Sequence, residues 1–98
     1  MYLDIFDLKT FYTYLLISRL SSGKNISYAG YTNNIKKRLI LHNTGRGAKF
    51  TKGREWFLIY KKKFKSRSLA MKHEHLLKKN RIFRQKILKK AGKYNHGL

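Results

Sequence analysis

Glu74 is nearly isolated among charges of the opposite sign. Of the 24 Lys and Arg residues only Lys9, Arg19 and Lys24 precede Thr32, and beyond it the sole carboxylate side chains are Glu55 and Glu74. The run Met71-Lys72-His73-Glu74-His75-Leu76-Leu77-Lys78-Lys79 has helical apolar spacing, which sets Glu74 and Lys78 on one side. Two roles suit such an acid. It can pair with Lys78 four residues on, which adds only about 0.2–0.5 kcal/mol to a helix. Alternatively it can be the one hard oxygen ligand for a divalent cation, on a surface basic enough to gather a polyanion. His73 and His75 flank it but point to different helix faces, and a zinc-protease helix needs its histidines four apart. Tyr14, Tyr28, Arg38 and His42 are of types that can serve phosphodiester chemistry, but type alone does not single them out from the other tyrosines, arginines and histidines. Each also has a structural alternative: core aromatics, a solvated basic face, and a helix end where a cationic ring suits the dipole.

The charge balance narrows the partner. A formal net charge of +20 on 98 residues makes nucleic acid the leading partner, with an anionic membrane surface the weaker alternative. No apolar run approaches the roughly 20 residues of a bilayer span, and Met1-Tyr2-Leu3-Asp4-Ile5-Phe6-Asp7 lacks the basic start of a secretory signal. The expectation is a cytoplasmic protein with no membrane partner. With no cysteine, disulfides, thiolate metal sites and a cysteine nucleophile are excluded.

The elements that must position these residues form a single domain over residues 1–98 with a small core, 42% of the chain being apolar. Phe11 to Ser18 reads as a buried strand, Arg19–Lys24 as a hairpin loop and Asn25–Tyr31 as the partner strand. Asn34 to Asn43 reads as a helix behind the cap-type residues Thr32, Asn33 and Asn34. Gly45 to Gly53 is a basic glycine-rich loop, and Trp56–Tyr60 a third strand running into Lys61-Lys62-Lys63-Phe64. Ser66 or Ser68 can cap a helix holding Leu69, His73 and Leu76; Ile82, Phe83, Ile87 and Leu88 give a last helix its apolar face before a stop at Gly92 and a frayed tail. The fold class is α+β, a three-stranded antiparallel sheet flanked by helices.

Order along the chain adds what no single residue carries. Tyr12-Thr13-Tyr14, Tyr28-Ala29-Gly30, Arg38 with His42-Asn43, Gly45-Arg46-Gly47-Ala48-Lys49-Phe50-Thr51, and Arg67-Ser68-Leu69-Ala70 ahead of Glu74 together resemble the GIY-YIG nuclease superfamily, closest to its small standalone bacterial members. The resemblance covers about residues 11–90. The first tripeptide departs from the name motif in lacking Gly and Ile, and the hairpin loop is a few residues longer; loop entropy grows slowly enough for the second to be benign.

The resemblance implies a metal-dependent DNA endonuclease, a phosphodiester hydrolase acting on single-stranded or branched substrates. Tyr14 and Tyr28 would lie at the scissile phosphate, where a phenol can orient or deprotonate water. Arg38 would neutralise charge developing on phosphorus. His42 would hold the water or the leaving oxygen, and Glu74 would bind Mg²⁺ or Mn²⁺. Lys37, Arg46, Lys49, Lys52 and Arg54, with the run Lys61–Lys63, would contact phosphates without reading sequence. Gly45 and Gly47 would let backbone amides approach an anion, or leave a solvated loop. The loop lacks the lysine and hydroxyl pattern of a P-loop, so no nucleotide cofactor is expected. The alternatives are a non-cutting DNA- or RNA-binding module of the same fold and a basic ribosome-associated protein.

Overall fold

Strand β1 (Phe11–Arg19) is the hub of the molecule. In a computed structural model that describes residues 10–94, it pairs antiparallel with β2 (Asn25–Thr32) on one side and β3 (Phe57–Phe64) on the other, giving the order β2-β1-β3. A central strand covered on both faces reads as a nearly continuous apolar run, and all residues of β1 from Thr13 to Ser18 are buried. The registers place Tyr14 opposite Gly30 and Leu16 opposite Tyr28 in β2. A β-bulge shifts the pairing with β3 between Leu15 and Leu16, so Leu15 meets Tyr60 while Leu16 meets Leu58.

Helices cover both faces. Helix α1 (Ile35–Asn43) follows β2 directly, its first turn capped by the Asn34 side chain accepting from the Lys37 amide at 3.0 Å. Its Ile35 and Leu39 pack with Tyr14, Leu16, Tyr28, Leu58 and Trp56 on one face of the sheet. On the other face Leu15 and Ala29 meet Leu77 of α2 (Arg67–Lys79), with Phe83 and Ile87 of α3 (Arg81–Tyr94) alongside. The Thr13 hydroxyl donates to the Ala70 carbonyl at 2.6 Å, which ties α2 to β1.

Several expectations need correction. Ser66, not Ser68, caps α2 through the Leu69 amide. The buried stripe of that helix is Ala70 and Leu77, whereas Leu69 and Leu76 are exposed. Ala70, Glu74 and Leu77 stand at i, i+4 and i+7, so Glu74 lies along the sheet-facing stripe, with only 17% of its side chain exposed. In α3 Phe83 and Ile87 pack inward, while Ile82 points to solvent. Gly92 does not stop that helix, which continues to Tyr94. The N-terminal segment behind the cytoplasmic expectation, and the tail beyond Tyr94, lie outside the described residues. Among the described residues no helix is long and apolar enough to cross a membrane.

Candidate active site

Side chains alternate along a strand, so Tyr14 and Leu16 share a face, as do their partners Gly30 and Tyr28. The two tyrosines are therefore diagonal neighbours on the α1 side of the sheet rather than a directly opposed pair. Tyr14 is almost fully buried. Gly30 makes that possible: a Cβ there would collide with the Tyr14 hydroxyl.

Helix α1 brings two more groups to this face. The Tyr14 hydroxyl lies 2.8 Å from His42 Nε2, and the edge of the Tyr28 ring approaches the same imidazole with centroids 5.1 Å apart. Arg38, one turn earlier, acts on the Tyr14 hydroxyl as a hydrogen-bonding and charged neighbour that lowers its pKa. Burial outweighs it and pushes the phenol up to about 12, with Tyr28 and Glu74 adding to the rise. Glu74 thus lies within electrostatic reach of Tyr14 although α2 packs on the opposite face of the sheet. The carboxylate also faces Lys78 Nζ at 3.5 Å, the pairing expected from its spacing. The Arg38 Nε is buried and has no acceptor among the described residues.

His42 differs from its expected role. It is completely buried, and both ring nitrogens are engaged, Nε2 by Tyr14 and Nδ1 by the Thr51 hydroxyl at 2.8 Å. With both nitrogens taken, the ring has no free position for a water or a leaving oxygen. Burial, then the Arg38 charge, depresses its pKa and keeps it neutral.

The glycine-rich loop also departs from its reading. Thr51 ends a 3-10 turn (Lys49–Thr51) and is fully buried under the imidazole. Gly47 faces His42 so closely that a Cβ would strike Nδ1, which makes this glycine a seat for the ring rather than an anion cradle. Gly45 supplies a left-handed bend at φ +78°. Asn43 closes the loop, accepting from the Trp56 amide at 2.7 Å and donating to the Trp56 carbonyl at 3.2 Å. The Trp56 indole in turn donates to the Thr51 carbonyl at 2.8 Å. Thr51 escaped individual notice in the sequence, where only the order Gly-x-Gly-Ala-Lys-Phe-Thr marked it, and Gly47 stood out there for a different role.

Around this buried centre Lys37, Arg46, Lys49, Lys52 and Arg54 are all exposed. Phe50, 53% exposed, stacks on Tyr28 with centroids 6.2 Å apart and has the Arg54 guanidinium over its ring at 5.8 Å. Among the described residues no group of three His, Asp or Glu could enclose a metal. A single carboxylate such as Glu74 suits a hard cation that keeps most of its water, not a closed protein cage.

The model of the GIY-YIG catalytic domain matches residues 10–87. A UPF0213 protein from Oceanobacillus iheyensis is 47% identical over 68 residues, covering 68% of this chain and 74% of that protein. One from Natronomonas pharaonis is 42% identical over 60 residues, covering 60% and 71%. The solution NMR structure of a UPF0213 protein from Bacillus halodurans superposes with a TM-score of 0.45 at 33% identity, over 87% of this chain and 89% of that one. These relatives' names state no activity. With most of its length matched by the catalytic-domain model, the chain belongs to the GIY-YIG family.

Proposed function

We propose that the protein is a metal-dependent endonuclease that hydrolyses phosphodiester bonds in DNA, on unpaired or branched strands. The family supports nuclease chemistry on nucleic acid in general. The observation that carries the finer reading is the buried Arg38 Nε beside the Tyr14 phenol, an N–H without an acceptor among the described residues. A buried donor left unpaired costs about 1–3 kcal/mol, and a phosphate oxygen would satisfy it.

In this reading Arg38 fixes the scissile phosphate and stabilises charge growing on its oxygens. Tyr14 orients the attacking water and accepts its proton as the phenolic proton passes to His42 Nε2. The phenol is too weak an acid to ionise unaided, so the imidazole supplies the basicity. Tyr28 lines the same face and limits water around the reacting atoms. A Mg²⁺ or Mn²⁺ ion held by Glu74 would supply Lewis-acid stabilisation of the phosphate and leaving oxygens, consistent with the general metal dependence of GIY-YIG nucleases. The exposed lysines and arginines would hold the flanking backbone. Half-exposed Phe50 supports the preference for unpaired strands, because an unpaired base can reach the part of its ring that Tyr28 and Arg54 leave open.

Labelled single-stranded, duplex and branched DNA, incubated with Mg²⁺ or Mn²⁺, tests this. Glu74→Ala should abolish cleavage yet preserve or modestly tighten binding, since it removes a cation ligand and a negative charge facing a polyanion. Arg38→Ala should weaken both. Equal cleavage by wild type and Glu74→Ala would overturn the assignment, and binding without cleavage by wild type would favour the non-cutting module.

A further inference from the structure

The buried path from Tyr14 through His42 does not end at the imidazole. The Thr51 hydroxyl oxygen accepts the Ala48 amide at 3.1 Å and donates its one proton to the Ala48 carbonyl at 2.9 Å. With that proton committed, the remaining lone pair of Oγ1 can meet His42 Nδ1 only as an acceptor. Nδ1 therefore carries the proton. Nε2 is then bare and accepts the Tyr14 O–H.

In the opposite arrangement Thr51 would donate to Nδ1, and Nε2–H would donate to the phenol oxygen. The Tyr14 proton would then need another acceptor on a side chain that is 2% exposed, while its nearby charged neighbour, Arg38, only donates. The first arrangement pairs every donor along the path from Tyr14 to Ala48; the second strands one.

We infer that Thr51 is a positioning residue that fixes His42 as the Nδ1–H tautomer, so that Tyr14 is held with its proton directed into the protein and its lone pairs toward the reacting water. The inference rests on the nuclease reading for its consequence, but the tautomer itself does not. Two groups packed on the imidazole agree with it: Tyr14 from β1, and Gly47, whose missing Cβ leaves room for Nδ1 to reach Thr51. Threonine at this place has a second effect. Its hydroxyl both receives and returns a bond to Ala48, so turning toward Nδ1 as a donor would give up the bond to the Ala48 carbonyl.

Nitrogen-15 correlation spectra of the imidazoles in the whole protein at neutral pH read the tautomer directly. His42 should show a protonated Nδ1 and a bare Nε2, in wild type and in Thr51→Ser. Thr51→Val, which keeps the volume but offers no acceptor, should move His42 toward the Nε2–H form. If the chain cuts DNA, kcat in Thr51→Val should fall by roughly 10²-fold or more with KM little changed, and Thr51→Ser should recover most of the loss. An Nε2–H signal for His42 in wild type overturns the inference, even if Thr51→Val fails to fold. So does a folded Thr51→Val with the wild-type tautomer and rate. The expected spectra on a protein that cuts no DNA would sink the nuclease reading and leave the tautomer assignment standing.

Discussion

Gly30 faces the Tyr14 ring so tightly that a methyl group would overlap the hydroxyl, which gives the Tyr28-Ala29-Gly30 tripeptide a physical meaning. Its tyrosine lines the site face, its alanine packs into the opposite core beside Leu15 and Leu77, and its glycine makes room for the other tyrosine. Gly30→Ala should cost about 1–3 kcal/mol from overpacking, read from the urea midpoint. Cleavage should fall further than stability explains, because the phenol is the group displaced. Retained activity at lowered stability would mean that Tyr14 is not needed where it sits. Of the proposed site, Glu74 stands out in the sequence against the surrounding charge, whereas Tyr14, Tyr28, Arg38 and His42 are named only because their order resembles a known family pattern. The burial of His42 is not legible there. Nothing local tells that a helix-terminal histidine will be wholly enclosed by a loop nine residues further on.

At the scale of elements, the hairpin, the first helix and the third strand follow from alternation and cap chemistry within a few residues. The packing of α2 does not. Leu69 and Leu76 look like its inward face by hydrophobicity, yet Ala70 takes the buried place because the close approach that lets Thr13 reach the Ala70 carbonyl leaves room only for a small side chain. The segment from Thr44 to Trp56 is likewise opaque to periodicity, since its order comes from a few polar contacts made across the chain. Asn43 is the clasp. Its side chain satisfies both backbone groups of Trp56, and Trp56 then holds the Thr51 carbonyl. Asn43→Ala should destabilise the fold by about 1–3 kcal/mol through the unpaired Trp56 amide. Hydrogen exchange should accelerate most for amides between Thr44 and Trp56, including Thr51. Asn43→Asp keeps the acceptor and should lose less. Uniform acceleration over the whole sheet in Asn43→Ala would show that the loop is not a separate unit held by this clasp.

Two properties belong to the molecule as a whole, its charge and its buried titrating groups. A net charge of +20 should make affinity for DNA fall steeply with salt, each neutralised phosphate adding a slope near 0.9 on logarithmic axes; a flat titration between low and moderate salt would contradict a backbone-tracking surface. Stability should be limited at both ends of the pH scale. Burial depresses the pKa values of His42 and His73, reinforced by Arg38 and by Lys62 respectively. Below about pH 6.5 the unfolded imidazoles bind protons that the native ones resist. The unfolded state then holds more protons, so stability falls as pH falls, and this contribution is complete only above that value. Tyr14 works in the opposite sense. Its native pKa is raised to about 12, foremost by burial, whereas the unfolded phenol ionises near about 10. Between those values the native state holds the extra proton, so stability falls as pH rises. Urea midpoints at constant ionic strength should therefore form a plateau from about pH 6.5 to about pH 10 with a loss on either side. Tyr14→Phe should shrink the alkaline limb, leaving the part that comes from Tyr60, whose pKa burial also raises, and should leave the acid limb in place, since the two histidines remain buried. An unchanged alkaline limb in that variant would mean that the Tyr14 hydroxyl ionises as freely in the folded protein as in the unfolded chain, which the contact with His42 and the enclosure by Gly30 do not allow.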